Sequence, residues 1–251
     1  MSDLRPEVPH AARIWNYWMG GTDNFAADRA AGDGVAQVYP EIVLMARQSR
    51  RFLIRVVRWL AAEAGVRQFL DVGTGLPTMQ NTHEVAQAVA PGSTVFYVDN
   101  DPLVIAHGER LTGGKERIVQ ADYHDPELIL AEARKVLDFD QPIAVMFMGV
   151  LGYEPDLGVV KSIVDTMTGA TASGSYLVLW DGTDTTPAVV EGAERLAQGG
   201  GVPYILRSPE SIGSLFAGLE LVDPGLVQLT EWRPDGPVEW LDAYGAVAKK
   251  P

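Results

Sequence analysis

The run QFLDV (68–72) leads into a turn, FLDVGTGLPT, whose Gly73 and Gly75 stand between an apolar strand pattern and a helical one. In such a turn the first glycine makes the tight bend and the second lets a ligand approach the backbone, so the chemistry on offer is a seat for a nucleotide-like molecule. Asp71 just ahead of the turn and Thr74 between the glycines add polar groups to that seat. No third glycine follows. Thr78, preceded by Pro77, stands in its place, and a side chain there keeps a helix N-terminus from closing on a pyrophosphate as it does in NAD enzymes. A lone glycine pair also serves as a plain strand-to-helix connector.

Two further strand ends bear on the choice. YVDNDP sets Asp99, with Asn100 beside it, about 20 to 25 residues past the turn, where a carboxylate accepts both ribose hydroxyls. QADY sets Asp122 at the next strand end, placed to accept from an adenine amine while Tyr123 flanks the ring. Either aspartate alone reads equally as a turn or cap residue. All three motifs fall at the carboxyl edge, where open α/β sheets bind ligands. Tyr153 and Glu154 follow the fourth strand pattern and Asp181 ends the fifth, placed to orient or deprotonate a hydroxyl or amine; each reads as readily as a loop or cap residue. His124, next to an N-cap, and His83, on the first turn after the glycines, are assigned no role.

The elements that must position these groups alternate. Candidate strands at 68–72, 94–99, 117–121, 142–149 and 175–181, all reading as buried on both sides, are separated by helical stretches, the pattern of a parallel sheet with crossover helices. Asp125-Pro126, Thr186-Pro187 and Ser208-Pro209 each place a capping residue before a proline at the first helical position. Two strand-like runs at 219–232 and 241–250, joined by RPDGPVEW, predict an antiparallel hairpin at the C-terminus. Ahead of Val66, a helix at 11–19, a Gly20-Gly21 break and a long helix at about 41–64 form an N-terminal cap or lid, residues 1–64, on a core of residues 65–251. Trp15, Tyr17, Trp18, Phe25 and Tyr39 crowd that cap; Tyr17, Asn24 and Phe25 are its candidate substrate-side residues, the segment 11–27 being hinged by the paired glycines.

Composition narrows the function further. The 251 residues, 47% apolar, suffice for one sizeable α/β domain. With 33 acidic and 20 basic residues the formal charge is -13, which repels nucleic acid and anionic lipid. The absence of cysteine removes disulfides, thiolate nucleophiles and Cys-ligated metals, and no metal site is expected. No leader pattern opens the chain and no apolar run reaches membrane-span length, so a cytoplasmic protein with a small-molecule substrate is expected, with a homodimer left open.

The order FLDVGTG, YVDNDP, QADY and a C-terminal antiparallel hairpin resembles the class I S-adenosylmethionine-dependent methyltransferases. More narrowly, ARIWNYWMGGTDNFAADR, ARQSRRFL, FLDVGTGLPT with NTHEVAQ, LDFDQPIAV, GSYLVL, PGLV and YGAVAKKP resemble an actinobacterial S-adenosyl methyltransferase family formerly known as a domain of unknown function. The resemblance implies a Rossmann-like, seven-stranded, mostly parallel sheet and S-adenosylmethionine at its carboxyl edge. It also implies that Arg47 or Arg50, on the long helix before the first strand, pairs with the cofactor's methionyl carboxylate; otherwise both read as surface arginines. The chain departs from the family after the fourth strand, where Gly149–Asp156 lacks a histidine the family carries, and after the fifth, where Trp180-Asp181 replaces another. Methyl transfer needs chiefly alignment of nucleophile, methyl and sulfur, so a base is optional. The leading expectation is in-line transfer to oxygen or nitrogen of a small molecule, with secondary metabolites in view. The alternatives are a protein that binds S-adenosylmethionine or S-adenosylhomocysteine without transfer, as a sensor or cyclase, and an NAD-dependent oxidoreductase.

Overall fold

The computed structural model describes residues 5–77, 80–112 and 117–251, which leaves Thr78 outside the described residues. Three helices open the chain: α1 (Ala11–Trp18), α2 (Ala26–Ala36) and the 21-residue α3 (Ile42–Ala62), about 31 Å long. The sequence reading anticipates α1, the Gly20-Gly21 break and α3, but not α2. AADRAAGDGVA carries two glycines and a thin apolar stripe, so local propensity is weak. The helix starts where the Asp28 carboxylate accepts the Phe25 N–H at 2.8 Å, and it packs on a later helix.

The alternation that follows is β1 (Gln68–Val72), α4 (Thr82–Val89), β2 (Thr94–Asp99), α5 (Pro102–Thr112), β3 (Arg117–Gln120), α6 (Pro126–Ala133), β4 (Ile143–Met148), a 3₁₀ turn (Leu151–Tyr153), α7 (Leu157–Gly169), β5 (Tyr176–Gly182), α8 (Pro187–Gln198) and α9 (Pro209–Ser214). The Asp125, Thr186 and Ser208 side chains accept the N–H groups of Leu128, Val189 and Ser211, as their spacing predicts. β6 (Glu220–Leu221), β7 (Val227–Gln228) and β8 (Ala243–Lys249) complete the sheet, in the order β3-β2-β1-β4-β5-β8-β6 with β7 also on β8.

β1 to β5 run parallel and β8 runs antiparallel to β5. β6 and β7 pair with successive parts of β8, so they are two halves of one edge strand, and the sheet has seven strand positions. This corrects the single strand expected at 219–232: Asp223-Pro224-Gly225 interrupts it, and proline has no N–H to give the ladder. β3 corrects the expectation of five strands buried on both sides. It is the opposite edge, and its residues are exposed or half-buried.

Side-chain alternation divides the core between the two faces. Phe69, Met146 and Val178 pack with Phe52, Val56 and Leu60 of α3 on one face, whereas Leu70, Val145 and Leu179 pack with Ile129, Val160 and Met167 of α6 and α7 on the other. The N-terminal helices join the first cluster through Ile14, Trp18, Val35 and Tyr39. Among the described residues no helix is long and apolar enough to cross a membrane.

Candidate cofactor cleft and active site

The carboxyl ends of β1, β2 and β4 and the segment after β3 open into a cleft of about 310 Å³, with α1 along one side. Asp71, Gly73, Thr74, Gly75, Asp99, Asn100, Asp122, Tyr123 and Arg50 all line it. Its location at the β1/β4 junction is the topological switch point, where the crossovers part to opposite faces. Gly73 and Gly75 have φ of 74° and 69°, a region that suits glycine, and a Cβ on Gly75 would point into open space. The turn thus exposes backbone to the cleft.

Asp99 shapes that turn. It is 7% exposed, its Oδ2 accepts the Gly75 N–H at 2.8 Å and its Oδ1 accepts the Asp101 N–H at 2.9 Å. Burial pushes its pKa up, against the pull of those two N–H groups. Each carboxylate oxygen has a second lone pair, so capacity remains for ribose hydroxyls. Asp71, also buried, accepts the Thr82 hydroxyl at 2.6 Å and fastens the start of α4 to β1; burial raises its pKa while Thr82 and Arg50 oppose the rise.

Arg50 projects from α3 into the cleft. Its Nε is buried and has no hydrogen-bond partner, and among the described residues no carboxylate lies within ion-pair distance of it. Burial draws the guanidinium below its ordinary pKa, against attraction from Asp71. An arginine held this way is a seat for an anion of planar shape. Arg47, on the same helix, is exposed and lies outside the cleft.

At the β3 end, Tyr123 is buried with an unpartnered hydroxyl, and burial raises its pKa. The His124 ring stacks on it at 4.3 Å. That imidazole meets Asp122 Oδ1 at 2.6 Å through Nδ1 and Glu154 Oε2 at 2.8 Å through Nε2. Burial would lower the His124 pKa, but the two carboxylates carry it above its ordinary value. Glu154 itself is held low by the Asp156 N–H and then by His124. It lies off the cleft lining and reaches the site only through His124, a residue the sequence reading leaves without a role.

Past β4, Tyr153 lines the cleft together with Trp180, Trp15 and Met148. Its ring meets Tyr204 edge-on, with centroids 5.0 Å apart, and burial raises its pKa. Asp181 lies behind this pair rather than in the cleft. Fully buried, it accepts the Tyr204 hydroxyl and Arg207 Nη1, the latter at 3.1 Å. Burial pushes its pKa up to about 6, against the pull of Tyr204 and Arg207. Arg207 also donates to the Leu151 and Glu154 carbonyls, and so holds the turn that carries Tyr153. Tyr204 and Arg207 escape the sequence reading; the local trace of Tyr204 is in the glycines it packs on, since an added Cβ would come within 2.2 Å of its ring at Gly152 and 3.1 Å at Gly182.

The N-terminal side of the cleft is lined by His10, Ala11, Ala12, Trp15 and Met19, and not by Tyr17, Asn24 or Phe25, the residues expected there. Positions 11, 12, 15 and 19 share one face of a helix, whereas Tyr17 projects away from it. There its hydroxyl donates to Asp33 at 2.6 Å. Asn24 is tied to Asn16 and to the Gly21 carbonyl, and Phe25 carries the Arg13 guanidinium over its ring. The N-terminal segment is pinned to the turn after β2 by Asp101, which lies 3.0 Å from His10 and 3.7 Å from Arg13, while Arg13 also meets Asp28 at 3.6 Å. Burial alone would raise the Asp101 pKa; His10 and Arg13 hold it below its ordinary value.

A family model described as S-adenosyl methyltransferase matches residues 1–251. Among solved structures, a candidate methyltransferase from Thermobifida fusca is 40% identical over 99% of this chain and 97% of its own, with a TM-score of 0.93. A DUF574 family protein from Streptomyces avermitilis is 39% identical over 99% of this chain and all (100%) of its own, at 0.94. An O-methyltransferase family protein from Burkholderia thailandensis shares the fold alone, at 16% identity over 98% of this chain and 65% of its own, with a TM-score of 0.55. No curated protein matches.

Proposed function

Because the chain belongs to the S-adenosyl methyltransferase family, we propose that it binds S-adenosylmethionine along this cleft and transfers the methyl group to an oxygen or nitrogen of a small molecule. The observation that carries the reading is a half-buried arginine, its Nε enclosed and without a hydrogen-bond or ion-pair partner among the described residues, beside a glycine turn braced by a buried carboxylate. Arg50 would take the methionyl carboxylate, Asp99 the ribose hydroxyls, and Tyr123 with Asp122 the adenine. These donors and acceptors match the ligand's charges in kind.

S-adenosylmethionine supplies a methyl activated by the sulfonium; transfer to the acceptor's lone pair leaves neutral S-adenosylhomocysteine and releases the acceptor's proton. The protein's own task is to align the acceptor and keep water out, which Trp15, Met19 and Trp180 around Tyr153 support. Tyr153 is the polar side chain suited to orient the acceptor there. The formal charge of -13 favours small molecules over nucleic acid as acceptors.

Isothermal titration with S-adenosylmethionine, S-adenosylhomocysteine and NAD tests the first half. NAD binding without S-adenosylmethionine binding would refute the reading and favour a dinucleotide oxidoreductase. Incubation of methyl-labelled S-adenosylmethionine with pooled metabolites tests the second half, since a labelled product rejects a sensor or other binding-only role.

A further inference from the structure

Beside the cleft lies a second cavity, of about 60 Å³, walled by Trp15, Trp18, Tyr39, Tyr153, Trp180 and Tyr204 and closed by aliphatic side chains of α8. Among the described residues that line it none carries a charged side chain. Small-molecule pockets are lined mainly by apolar and aromatic side chains with a few placed polar groups, and this cavity against the cleft wall has that make-up. Trp15, Tyr153 and Trp180 line both cavities and form the partition between them. Two polar atoms sit on that partition without partners. Trp180 Nε1 is buried and makes no hydrogen bond, and the Tyr153 hydroxyl makes none among the described residues.

We propose that this chamber is the acceptor pocket, taking the compact hydrocarbon end of a small uncharged molecule whose single neutral hydroxyl or amine rests at Tyr153 and Trp180. The proposal deepens the methyltransferase reading and rests on it. A charged acceptor would enter a wall with no counter-ion, at a desolvation cost nothing here offsets. The volume sets the size: a cavity that takes benzene measures about 150 Å³, so a chamber of about 60 Å³ admits no aromatic ring and takes only the few end carbons of a short alkyl group.

The test uses the full chain saturated with S-adenosylhomocysteine and reads the indole signals of Trp15, Trp18 and Trp180 by NMR while isobutanol is titrated. Saturable shifts of these three indoles are expected, with none from 1-naphthol. Val189→Phe, which fills the chamber, should weaken isobutanol at least about tenfold and leave S-adenosylhomocysteine affinity within about twofold. Leu196→Ala, which enlarges it, should gain saturable binding of benzyl alcohol, and this variant decides the matter if Val189→Phe does not fold. Isobutanol that fails to bind, binds Val189→Phe as well as wild type, or is expelled by S-adenosylhomocysteine would overturn the acceptor pocket while leaving the cofactor cleft intact. Absence of S-adenosylhomocysteine binding in the same titration would instead overturn the cofactor reading, and the acceptor role with it.

Discussion

Replacing Arg50 by methionine separates a cofactor clamp from a structural arginine, because the two roles change different observables. In the protein alone, the burial penalty on the guanidinium and its attraction to Asp71 act in opposite directions. Removing the charge should therefore shift folding stability by less than about 1 kcal/mol. With S-adenosylhomocysteine bound, a guanidinium facing a carboxylate makes two charge-assisted bonds, each worth about 1.5–3 kcal/mol before desolvation. A net loss of about 3 kcal/mol corresponds to roughly 100- to 200-fold weaker binding. Arg50→Lys keeps the charge without the fork and should fall between. The assay is paired titration with S-adenosylhomocysteine and 5′-methylthioadenosine, which lacks the methionyl carboxylate. Arg50→Met should weaken the first by that factor and leave the second nearly unchanged. Equal losses for both ligands, or a large fall in melting temperature without ligand, would refute the assignment.

Three further outcomes follow from the same geometry. Asp99→Ala should weaken S-adenosylhomocysteine binding by about 3 kcal/mol, since it removes a buried charged acceptor and frees the Gly75 turn, whereas Asp122→Ala should cost about 1 kcal/mol or less because its side chain is 54% exposed; equal small effects by titration calorimetry would count against the ribose assignment. Asp181 holds its proton more tightly folded than unfolded, so its contribution to stability declines as pH rises from about 4 to about 6 and is flat above, a change of up to about 3 kcal/mol. Asp181→Asn should flatten that part of the curve in urea unfolding at successive pH values, and an unchanged slope would contradict it. The His124 ring should titrate above the ordinary imidazole value of about 6.5 by NMR, with its tie to Asp122 and Glu154 intact below that pH and lost as pH rises through the folded pKa; Glu154→Gln should lower the midpoint, and no movement would show that the contact at Nε2 is not felt.

Much of the cofactor edge was legible because it is local. The glycine turn after β1, the aspartates ending β2 and following β3, and the capping residues before Pro126, Pro187 and Pro209 each lie within a few residues of the backbone they serve. Strand-to-helix periodicity then orders those ends along one edge, since a parallel sheet brings all its carboxyl ends to the same side. Tertiary packing decided the rest. Arg47 and Arg50 are both arginines on one helix, and only the docking of α3 on the sheet leaves one in water and sinks the other in the cleft. Trp15 rather than Tyr17 faces the cleft for the same reason: helical phase is local, but which phase turns inward depends on what the helix packs against. Asp181 becomes an anchor instead of a cleft residue because Tyr204 and Arg207, more than 20 residues downstream, close over it. The helix α2 exists despite weak propensity through its contacts with α8, whereas the break between β6 and β7 is written locally in Asp223-Pro224-Gly225. The contacts that settle Arg50, Trp15, Asp181 and α2 join residues far apart in the chain, and no short-range pattern encodes them.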